Sequence, residues 1–339
     1  MSSNNEVPKF GVLTPGSVSE AVSMLTQYGT QARIMSGGTD LLYQMKNGVQ
    51  LLTPQYVVDI SGLDLSGVTY SQSGGLTIGA TTSITDIAND PNVQQYYPVL
   101  AQAAAVVAAP QIRNQATAAG DISQEVWCWY LRNNYDCWRN GGDVCYGAVG
   151  DNRYYHSIFG GRMCYAVHAG DTTTAYFALN ADVTVQGPNG TTTMPISKLI
   201  PGISLVDGRG KENILQNNEI ITQIHVPTPP ANSVGAFYKV RSRQSFDFAI
   251  ASAAAQLTMN ASTIKEAHIV LGGVANIPHV ASSAESYLVG KSLSDSGVIA
   301  EAASRAVDGN EPLTEGTGNK FKIFLAQGAV SKVLQSLQS

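Results

Sequence analysis

The sequence predicts an α+β protein built from more than one folding unit. Residues 17–29 have the capped, amphipathic pattern of a helix, whereas YVVDIS at 56–61 and NEIITQIHVP at 218–227 have the β-branched composition of strands. A linker with Pro229 and Pro230 separates these segments from a further set of strands and helices. With 339 residues, 44% of them hydrophobic, the chain is long enough for two or three domains.

The N-terminal helix has clear start and stop signals. Ser17 and Glu20 form a capping-box pattern, and the apolar side chains after them share one helical face until Gly29 ends the helix. After it we expect a short buried strand at Ile34–Met35 and a tight turn at 36–39. The other expected elements are a strand at 76–87, an apolar helix at 92–109, a helix and a strand hairpin within 169–197, an edge strand at 218–227, a strand at 264–274 and helices near 281–288, 295–307 and 319–336.

Two short runs of small residues lie in the N-terminal half. The turn SGGT at 36–39 follows a buried strand, and the run ATAAG at 116–120 leaves little side chain in the way. Glycine permits positive φ and close backbone approach, so such turns can present amide N–H groups to a phosphate. Neither run has the G-x-G-x-x-G or Walker pattern, and each alone fits a plain structural connection equally well. Together they indicate a large, phosphate-bearing cofactor.

All four cysteines and all three tryptophans of the chain lie within residues 127–164. The cysteines, at 128, 137, 145 and 164, include no C-x-x-C pair of the kind found in zinc ribbons and thioredoxin motifs. The interpretations that remain are two disulfides or four unrelated thiols, a four-cysteine zinc site, and a [4Fe–4S] cluster. A large core has no need of disulfides, but composition alone does not distinguish zinc from iron.

Charge and hydropathy argue against two classes of partner. The formal net charge of −5 and the pI near 5.5 lack the basic excess of nucleic-acid-binding proteins, so we expect no nucleic-acid partner. No run approaches eighteen consecutive apolar residues, and the start MSSNNEVPKF has neither a basic nor an apolar signal region. We therefore expect no membrane span and no export signal on this chain.

The order of the motifs resembles one protein family along nearly the whole chain. Six segments follow one another as in the FAD-binding medium subunits of the molybdenum hydroxylases, relatives of xanthine dehydrogenase and carbon monoxide dehydrogenase: MSGGTDLLYQMK, LTIGATTSITDI, IRNQATAAGDIS, AVHAGDTTTAYFALNADV, EIITQIHVP and FYKVRSRQSFDFAIASAA. The resemblance implies a two-subdomain FAD-binding fold of the vanillyl-alcohol oxidase type, followed by a smaller α+β domain. It places the first FAD-binding subdomain at 1–65, the second at 66–229 and the C-terminal domain at 233–339.

Residues 125–165 form an insertion relative to most members of that family. The insertion is similar to one in the medium subunits of periplasmic aldehyde oxidoreductase and, more distantly, of 4-hydroxybenzoyl-CoA reductase. The resemblance therefore implies an iron–sulfur cluster of the [4Fe–4S] type, in preference to zinc. Its ligands would be Cys128, Cys137, Cys145 and Cys164.

The resemblance also implies which residues contact FAD. Three of them have structural alternatives: Asp171 as a helix N-cap, Ile221 as a plain core strand residue, and Lys239 as a solvated strand lysine. The chain departs from the family at 119–121, where Ala-Gly-Asp replaces the common Gly-Gly-Asn and narrows the phosphate turn. The residues assigned to the cofactor are Arg33, Ile34, Met35, Ser36, Gly37, Gly38, Thr39, Asp40, Leu41, Thr117, Ala118, Ala119, Gly120, Asp121, Ser123, Asp171, Ile221 and Lys239.

The implied function is electron transfer in an oxidoreductase complex, with no catalytic acid, base or nucleophile on this chain. Electrons would come from a large molybdenum-cofactor subunit through a small [2Fe–2S] subunit to FAD, and leave to an external acceptor. The alternatives are a self-sufficient FAD-dependent oxidase of the same fold and a non-enzymatic binding module held by metal or disulfides. We expect the chain in the cytoplasm, or in the periplasm if a signal-bearing partner carries it across.

Overall fold

A computed structural model describes residues 6–49, 53–202 and 213–338 of the chain. The described strands are β1 (Gly11–Leu13), β2 (Ala32–Met35), β3 (Tyr56–Asp59), β4 (Val68–Ser71), β5 (Gly75–Gly79), β6 (Asp182–Gly187), β7 (Gly190–Pro195), β8 (Ile220–Val226), β9 (Ser233–Val240), β10 (Ala251–Asn260), β11 (Thr263–Gly272) and β12 (His279–Val280). The described α-helices are α1 (Val18–Tyr28), α2 (Leu41–Lys46), α3 (Ile84–Asn89), α4 (Pro91–Tyr96), α5 (Pro98–Ala105), α6 (Pro110–Arg113), α7 (Ala118–Ser123), α8 (Trp129–Arg132), α9 (Tyr146–Val149), α10 (Asp171–Ala178), α11 (Ile196–Leu199), α12 (Ser282–Leu288), α13 (Ser296–Arg305) and α14 (Phe321–Ser336).

The described strands form three sheets, and the α+β class is confirmed. The first is a parallel sheet in the order β1-β3-β2. The second is antiparallel, in the order β4-β5-β8-β6-β7, and the third is antiparallel, in the order β12-β11-β10-β9. Each sheet packs against helices. Helix α1 lies on the first sheet, and α12 and α14 pack on the third. Helices α5 and α10 contact strands of the third sheet and share a core with the second.

The capped start of α1 is confirmed. The Ser17 hydroxyl accepts a hydrogen bond from the amide N–H of Glu20 at 3.1 Å, and the Glu20 carboxylate accepts one from the amide of Gly16 at 2.7 Å. These bonds satisfy amide groups that a helix start otherwise leaves without partners. Gly29 ends the helix with φ 52°, a conformation that a side chain disfavours.

Two sequence-based expectations about this region are wrong. The segment 218–227 is not at an edge, because its strand β8 pairs with β5 on one side and β6 on the other. Pro227 lies just beyond the last pair, so its missing N–H interrupts no ladder bond. The expected helix at 92–109 is divided at Pro98 into α4 and α5.

Strand β10 is buried on both faces and joins the two larger cores. Its Ala254 belongs to the core of the second sheet, whereas Ala253 and Ala255 belong to the core under α14. Because side chains alternate between the faces of a strand, neighbouring alanines contact different layers. The small methyl groups let helices approach the strand from both sides, which fixes the third sheet against the second.

No described helix has the length and apolar character that crossing a membrane requires.

A half-buried histidine in β12 predicts loss of stability in acid. The ring of His279 stacks on Phe159 with 3.7 Å between centroids, and burial lowers the pKa of His279 to about 4. Since the unfolded chain takes up this proton near pH 6.5, its contribution is complete above that pH and falls as the pH drops towards 4. Urea unfolding at pH 7.5 and 5 should therefore show a smaller acid loss for His279→Phe than for wild type, by about 1–2 kcal/mol.

His268, whose side chain is 30% exposed and lies in β11, supplies the control for this measurement. His268→Gln should keep the acid loss of the wild-type chain, because the substitution leaves the stacked pair of His279 and Phe159 in place. Equal acid losses for His279→Phe and wild type would show that the ring is not held neutral in the folded protein.

Candidate functional site

A cavity of about 500 Å³ lies where the end of the first sheet, the segment 107–125 and the third sheet meet. Its volume is in the range of small-molecule and cofactor sites. Most residues assigned to the cofactor from sequence come together here. Those that line the cavity are Arg33, Ile34, Met35, Ser36, Gly37, Gly38, Thr39, Asp40, Leu41, Thr117, Gly120, Asp121, Ser123, Asp171 and Lys239.

Three assigned residues lie outside the cavity lining. Ala118 and Ile221 belong to the core of the second sheet, and Ala119 packs against it. The amides of Ala118 and Ala119 already donate to the carbonyl oxygens of Thr82 and Ala80, at 2.9 and 3.0 Å. These two positions therefore attach the second small-residue turn to the sheet, and their amides are not available to a phosphate.

The turn at 36–39 keeps its donors free towards the cavity. Among the described residues, no acceptor takes a hydrogen bond from the backbone N–H of Gly37, Gly38 or Thr39. Gly38 has φ +70°, and a Cβ on Gly37 would overlap the carbonyl oxygen of Gln115 in the second turn. The two turns are thus in contact, and glycine is required at position 37 for them to approach. Successive free amides of this kind suit an anion such as a pyrophosphate.

Two further polar groups of the cavity have unused hydrogen-bonding capacity among the described residues. The Oγ1 atom of Thr117 is buried and has no hydrogen-bond partner there. The Arg33 guanidinium donates from Nη1 to the carbonyl oxygen of Ala32 at 3.3 Å, but it has no carboxylate within ion-pair distance in the described part of the chain, and burial lowers its pKa from the usual value. Buried polar groups are normally satisfied, so the Thr117 hydroxyl, the remaining Arg33 donors and the free amides fit a ligand rich in acceptors.

Lys239 is not a solvated strand lysine. Its side chain is 2% exposed, and its Nζ lies 2.6 Å from Asp171 Oδ2 and 3.1 Å from the carbonyl oxygen of Val106. Asp171 is not the helix N-cap either, because Gly170 has that position and Asp171 is the first residue of α10. Burial raises the pKa of Asp171, and the charge of Lys239 opposes the rise. The two residues form a buried ion pair in the cavity wall.

Asp121 lies close to this pair and has a different environment. Burial raises the pKa of Asp121 to about 6, although a hydrogen bond from Thr172 acts in the opposite direction. Its Oδ2 accepts from the amide of Thr172 at 3.1 Å, and its Oδ1 accepts from Gln124 Nε2 at 2.8 Å. These bonds fix the start of α10 against α7, so Asp121 helps to hold the two cavity-lining helices together.

Sequence reasoning missed an aromatic and basic side of the cavity. Trp127 and Phe248 line it and stack with 4.1 Å between ring centroids. Arg132 and Arg139 also line it, and both pair with carboxylates, Arg132 with Asp40 and Arg139 with Glu125. A signal was present in the sequence, since Trp127 and both arginines lie in the cysteine segment. That segment was interpreted as a cysteine site, and its aromatic and basic residues were not assigned to the cofactor cavity.

The four cysteines line a second, smaller cavity beside the first. All four are free thiols, so the interpretation as two disulfides is wrong. Cys128, Cys137 and Cys164 are buried and Cys145 is half-buried. Burial raises the pKa of Cys128 to about 12 and also raises that of the Cys164 thiol. In the described part of the chain, no three Cys, His, Asp or Glu side chains form a group that could hold one metal ion.

The C-terminal domain fixes this cysteine segment through buried polar side chains. Asn276 Nδ2 donates to the carbonyl oxygen of Cys164 at 3.1 Å. Lys322, which is fully buried, donates from Nζ to the carbonyl oxygens of His156 and Gly273, at 2.8 and 2.7 Å. Asn319 donates to the carbonyl oxygen of His156 at 3.2 Å. The cysteine cavity is therefore part of the folded core.

The fold and the cavity define a flavoprotein of two parts. Residues 8–229 match the family described as the FAD binding domain in molybdopterin dehydrogenase, and residues 236–337 match the CO dehydrogenase flavoprotein C-terminal domain. The chain belongs to the FAD-binding medium subunits of the molybdenum hydroxylases, whose members are subunits of FAD-dependent oxidoreductases.

Two relatives and one solved structure illustrate the likeness. The chain is 32% identical to the aldehyde oxidoreductase FAD-binding subunit PaoB of Escherichia coli, over 89% of this chain and 90% of that protein. It is 28% identical to the carbon monoxide dehydrogenase medium chain of Hydrogenophaga pseudoflava, over 97% of both chains. A solved structure of carbon monoxide dehydrogenase from H. pseudoflava, lacking the Mo-pyranopterin moiety, has a TM-score of 0.75 and covers 97% of both chains.

Arg33→Gln should weaken FAD binding by about 10- to 100-fold. The reason is that Arg33 brings a positive charge without a carboxylate partner, and a charge-assisted hydrogen bond contributes about 1.5–3 kcal/mol. Titration of the flavin-free chain with FAD, followed by flavin fluorescence, measures the change. Arg305→Gln, an exposed arginine on α13, is the control and should bind like wild type. Unchanged affinity in Arg33→Gln would remove Arg33 from the FAD site.

Proposed function

We propose that the chain is the electron-transfer subunit of a molybdenum-cofactor oxidoreductase complex. In this proposal the large cavity holds FAD, and the four cysteines hold a [4Fe–4S] cluster. The partners are a large molybdenum-cofactor subunit and a small [2Fe–2S] subunit, and an external acceptor takes the electrons. When bound, FAD supplies one- and two-electron exchange, and the protein supplies binding, orientation and exclusion of water.

The observation that carries the FAD assignment is a set of hydrogen-bond donors in one cavity that are free or only partly used. The free amides of Gly37, Gly38 and Thr39, the Arg33 guanidinium and the Thr117 hydroxyl all belong to its wall. They suit the acceptor-rich diphosphate of a dinucleotide. The stacked rings of Trp127 and Phe248, which also line the cavity, offer a flat apolar surface of the kind that an isoalloxazine needs.

The four thiols of the second cavity support an iron–sulfur cluster, in which each iron takes one protein thiolate, so that no group of three ligands around a single ion is needed. Four free thiols face one small space, and soft thiolate ligands are what such clusters require. Trp138 and Tyr146 cover this space with aromatic surface, which limits access of water to the sulfurs. The likeness to PaoB, an aldehyde oxidoreductase subunit, supports an aldehyde as the substrate of the complex.

The test compares the chain alone with the assembled complex. The FAD-loaded chain by itself should not oxidise aldehydes, alcohols or amines, since the proposal assigns substrate activation to the molybdenum-cofactor subunit. Mixed with the molybdenum-cofactor and [2Fe–2S] subunits, it should show bleaching of the flavin absorbance when aldehyde is added. A complex assembled with flavin-free chain is the control for direct reduction of the acceptor. Turnover of an alcohol or amine by the chain alone would instead support a self-sufficient oxidase.

The compartment belongs to the same proposal. We propose that the chain works in the cytoplasm, or in the periplasm when a signal-bearing partner subunit exports the folded complex. Fractionation of cells that produce the chain with and without this partner distinguishes the two. Chain found in the periplasm without any partner would contradict both.

A further inference from the structure

We infer that Arg132 and Arg139 couple the two cofactor sites, so that filling the cysteine cavity strengthens FAD binding, and bound FAD in turn secures the cluster. Both arginines belong to the inserted cysteine segment, yet both reach the wall of the flavin cavity. They act as positioning residues, through the carboxylates that they hold. The inference rests on the proposed cofactors and adds an energetic link between them.

Arg132 connects α8 to the turn that carries the free amides. Its side chain is 2% exposed, and Nη1 forms an ion pair with Oδ1 of Asp40. Asp40 directly follows the turn at 36–39, and its Oδ2 accepts from Gln44 Nε2 at 2.6 Å and from the amide of Glu125 at 2.9 Å. Loss of Arg132 from this position would leave a carboxylate without its cation beside the turn. A shift of α8 is therefore transmitted to the phosphate-binding end of the cavity.

Arg132 is also held by the backbone and by an aromatic ring. Its Nε donates to the carbonyl oxygen of Val126 at 3.1 Å, and its guanidinium lies 5.3 Å from the centroid of Trp127. Trp127 lines the flavin cavity, and the next residue, Cys128, lines the cysteine cavity. The two sites thus share a stretch of backbone only two residues long.

Arg139 makes a second connection. Its side chain lines both cavities, and its Nε donates to Oε1 of Glu125 at 3.0 Å. Arg139 lies two residues after Cys137, in the short 3₁₀-helix Trp138–Asn140 whose N-cap is Cys137, so a movement of Cys137 would also move the backbone that carries Arg139. Glu125 is 14% exposed and lines the flavin cavity. If the cysteine segment were not fixed, the Glu125 carboxylate would lose its ion pair with Arg139.

The ion pairs of Arg132 and Arg139 connect the cysteine segment to the flavin cavity, and they make FAD binding and cluster binding interdependent. A cluster that fixes the four cysteines also fixes Arg132 and Arg139 on Asp40 and Glu125, and the flavin cavity is then preformed. By thermodynamic reciprocity, FAD must stabilise the cluster by the same factor. Couplings of this type are typically 5- to 150-fold.

The experiment measures FAD affinity of the full chain in two states. One sample keeps its iron under anaerobic conditions, and the other has its iron removed by oxidation and a chelator. The FAD dissociation constant, measured by flavin fluorescence, should be at least about tenfold higher in the iron-free sample. The reciprocal measurement is iron release to the chelator, which should slow when FAD is bound. Equal FAD affinity in both states, or an iron-release rate that does not depend on FAD, would overturn the inference. This test needs no variant.

Variants then assign the coupling to the arginines. In the double variant that carries Arg132→Met and Arg139→Met, the ratio of FAD affinities with and without iron should fall to about two or less. A merely structural role would weaken FAD binding in both states and leave the ratio unchanged, which would contradict the inference. Arg153→Met, an exposed arginine of the same segment, is the matched control and should keep the wild-type ratio. If the double variant does not fold, Arg132→Lys and Arg139→Lys separately should retain part of the ratio.

The outcome for the cofactors themselves is separate. A purified chain without iron would remove the proposed cluster, and with it the basis of the coupling. A chain that contains both iron and FAD, but shows no dependence of one on the other, would leave the proposed function intact and contradict only this inference.

Discussion

Gly37→Ala should reduce FAD affinity by at least about 100-fold. The added Cβ would overlap the carbonyl oxygen of Gln115, so the turn at 36–39 and the backbone of Gln115 and Ala116 must move apart. Backbone cannot give way as a flexible side chain can, and the free amides of the first turn would then point away from the phosphates. The measurement is FAD titration of the flavin-free variant, with far-ultraviolet circular dichroism to show that the chain is folded.

Gly62→Ala is the matched control for this substitution. A Cβ at Gly62 meets nothing within 4 Å, and its φ is not in the left-handed region, so the same chemical change has no steric consequence there. Gly62→Ala should bind FAD as the wild-type chain does. Wild-type FAD affinity in a folded Gly37→Ala protein would show that the contact of the two turns does not shape the site.

Cys164→Ser should eliminate the iron of the purified chain almost completely. The hydroxyl of serine is a poor substitute for a thiolate, and Cys164 is buried among the other three cysteines with its backbone carbonyl held by Asn276. Iron analysis and the visible spectrum of the anaerobically purified protein measure the effect. By the coupling inferred above, the variant should also bind FAD more weakly.

Met163→Leu provides the comparison for the cysteine substitution. Met163 precedes Cys164 and also lines the cysteine cavity, but it is 43% exposed and offers no thiolate. Met163→Leu should retain the wild-type iron content. Wild-type iron in Cys164→Ser would exclude Cys164 as a ligand and would leave the proposed cluster without its fourth thiolate.

Local chemistry made part of the fold and site predictable from the sequence. The cap at Ser17, the end of α1 at Gly29 and the tight turn at 36–39 depend on neighbouring residues, and the structure has all three. The glycines of that turn also indicated a phosphate site, because their backbone freedom is a property of the residue itself. The capped helix and the exposed amides are therefore recognisable before any tertiary contact is known.

The remaining features depend on contacts between distant residues. The ion pair of Arg132 and Asp40 joins positions 92 apart, and no local pattern indicates it. The central position of β8 follows from its pairing with both β5 and β6, whereas the sequence around Pro227 resembles an edge. Lys239 has the sequence context of an exposed strand lysine, and only the approach of α10 brings Asp171 to it. Tertiary packing determined these three features.

The most direct measurement of the central claim is the visible spectrum of the anaerobically purified wild-type chain, with flavin, iron and zinc quantified on the same sample. The account predicts one FAD and roughly four irons per chain, because the large cavity suits a dinucleotide and the four thiols suit a single [4Fe–4S] cluster. A colourless chain, or one that contains zinc and no iron, would contradict it.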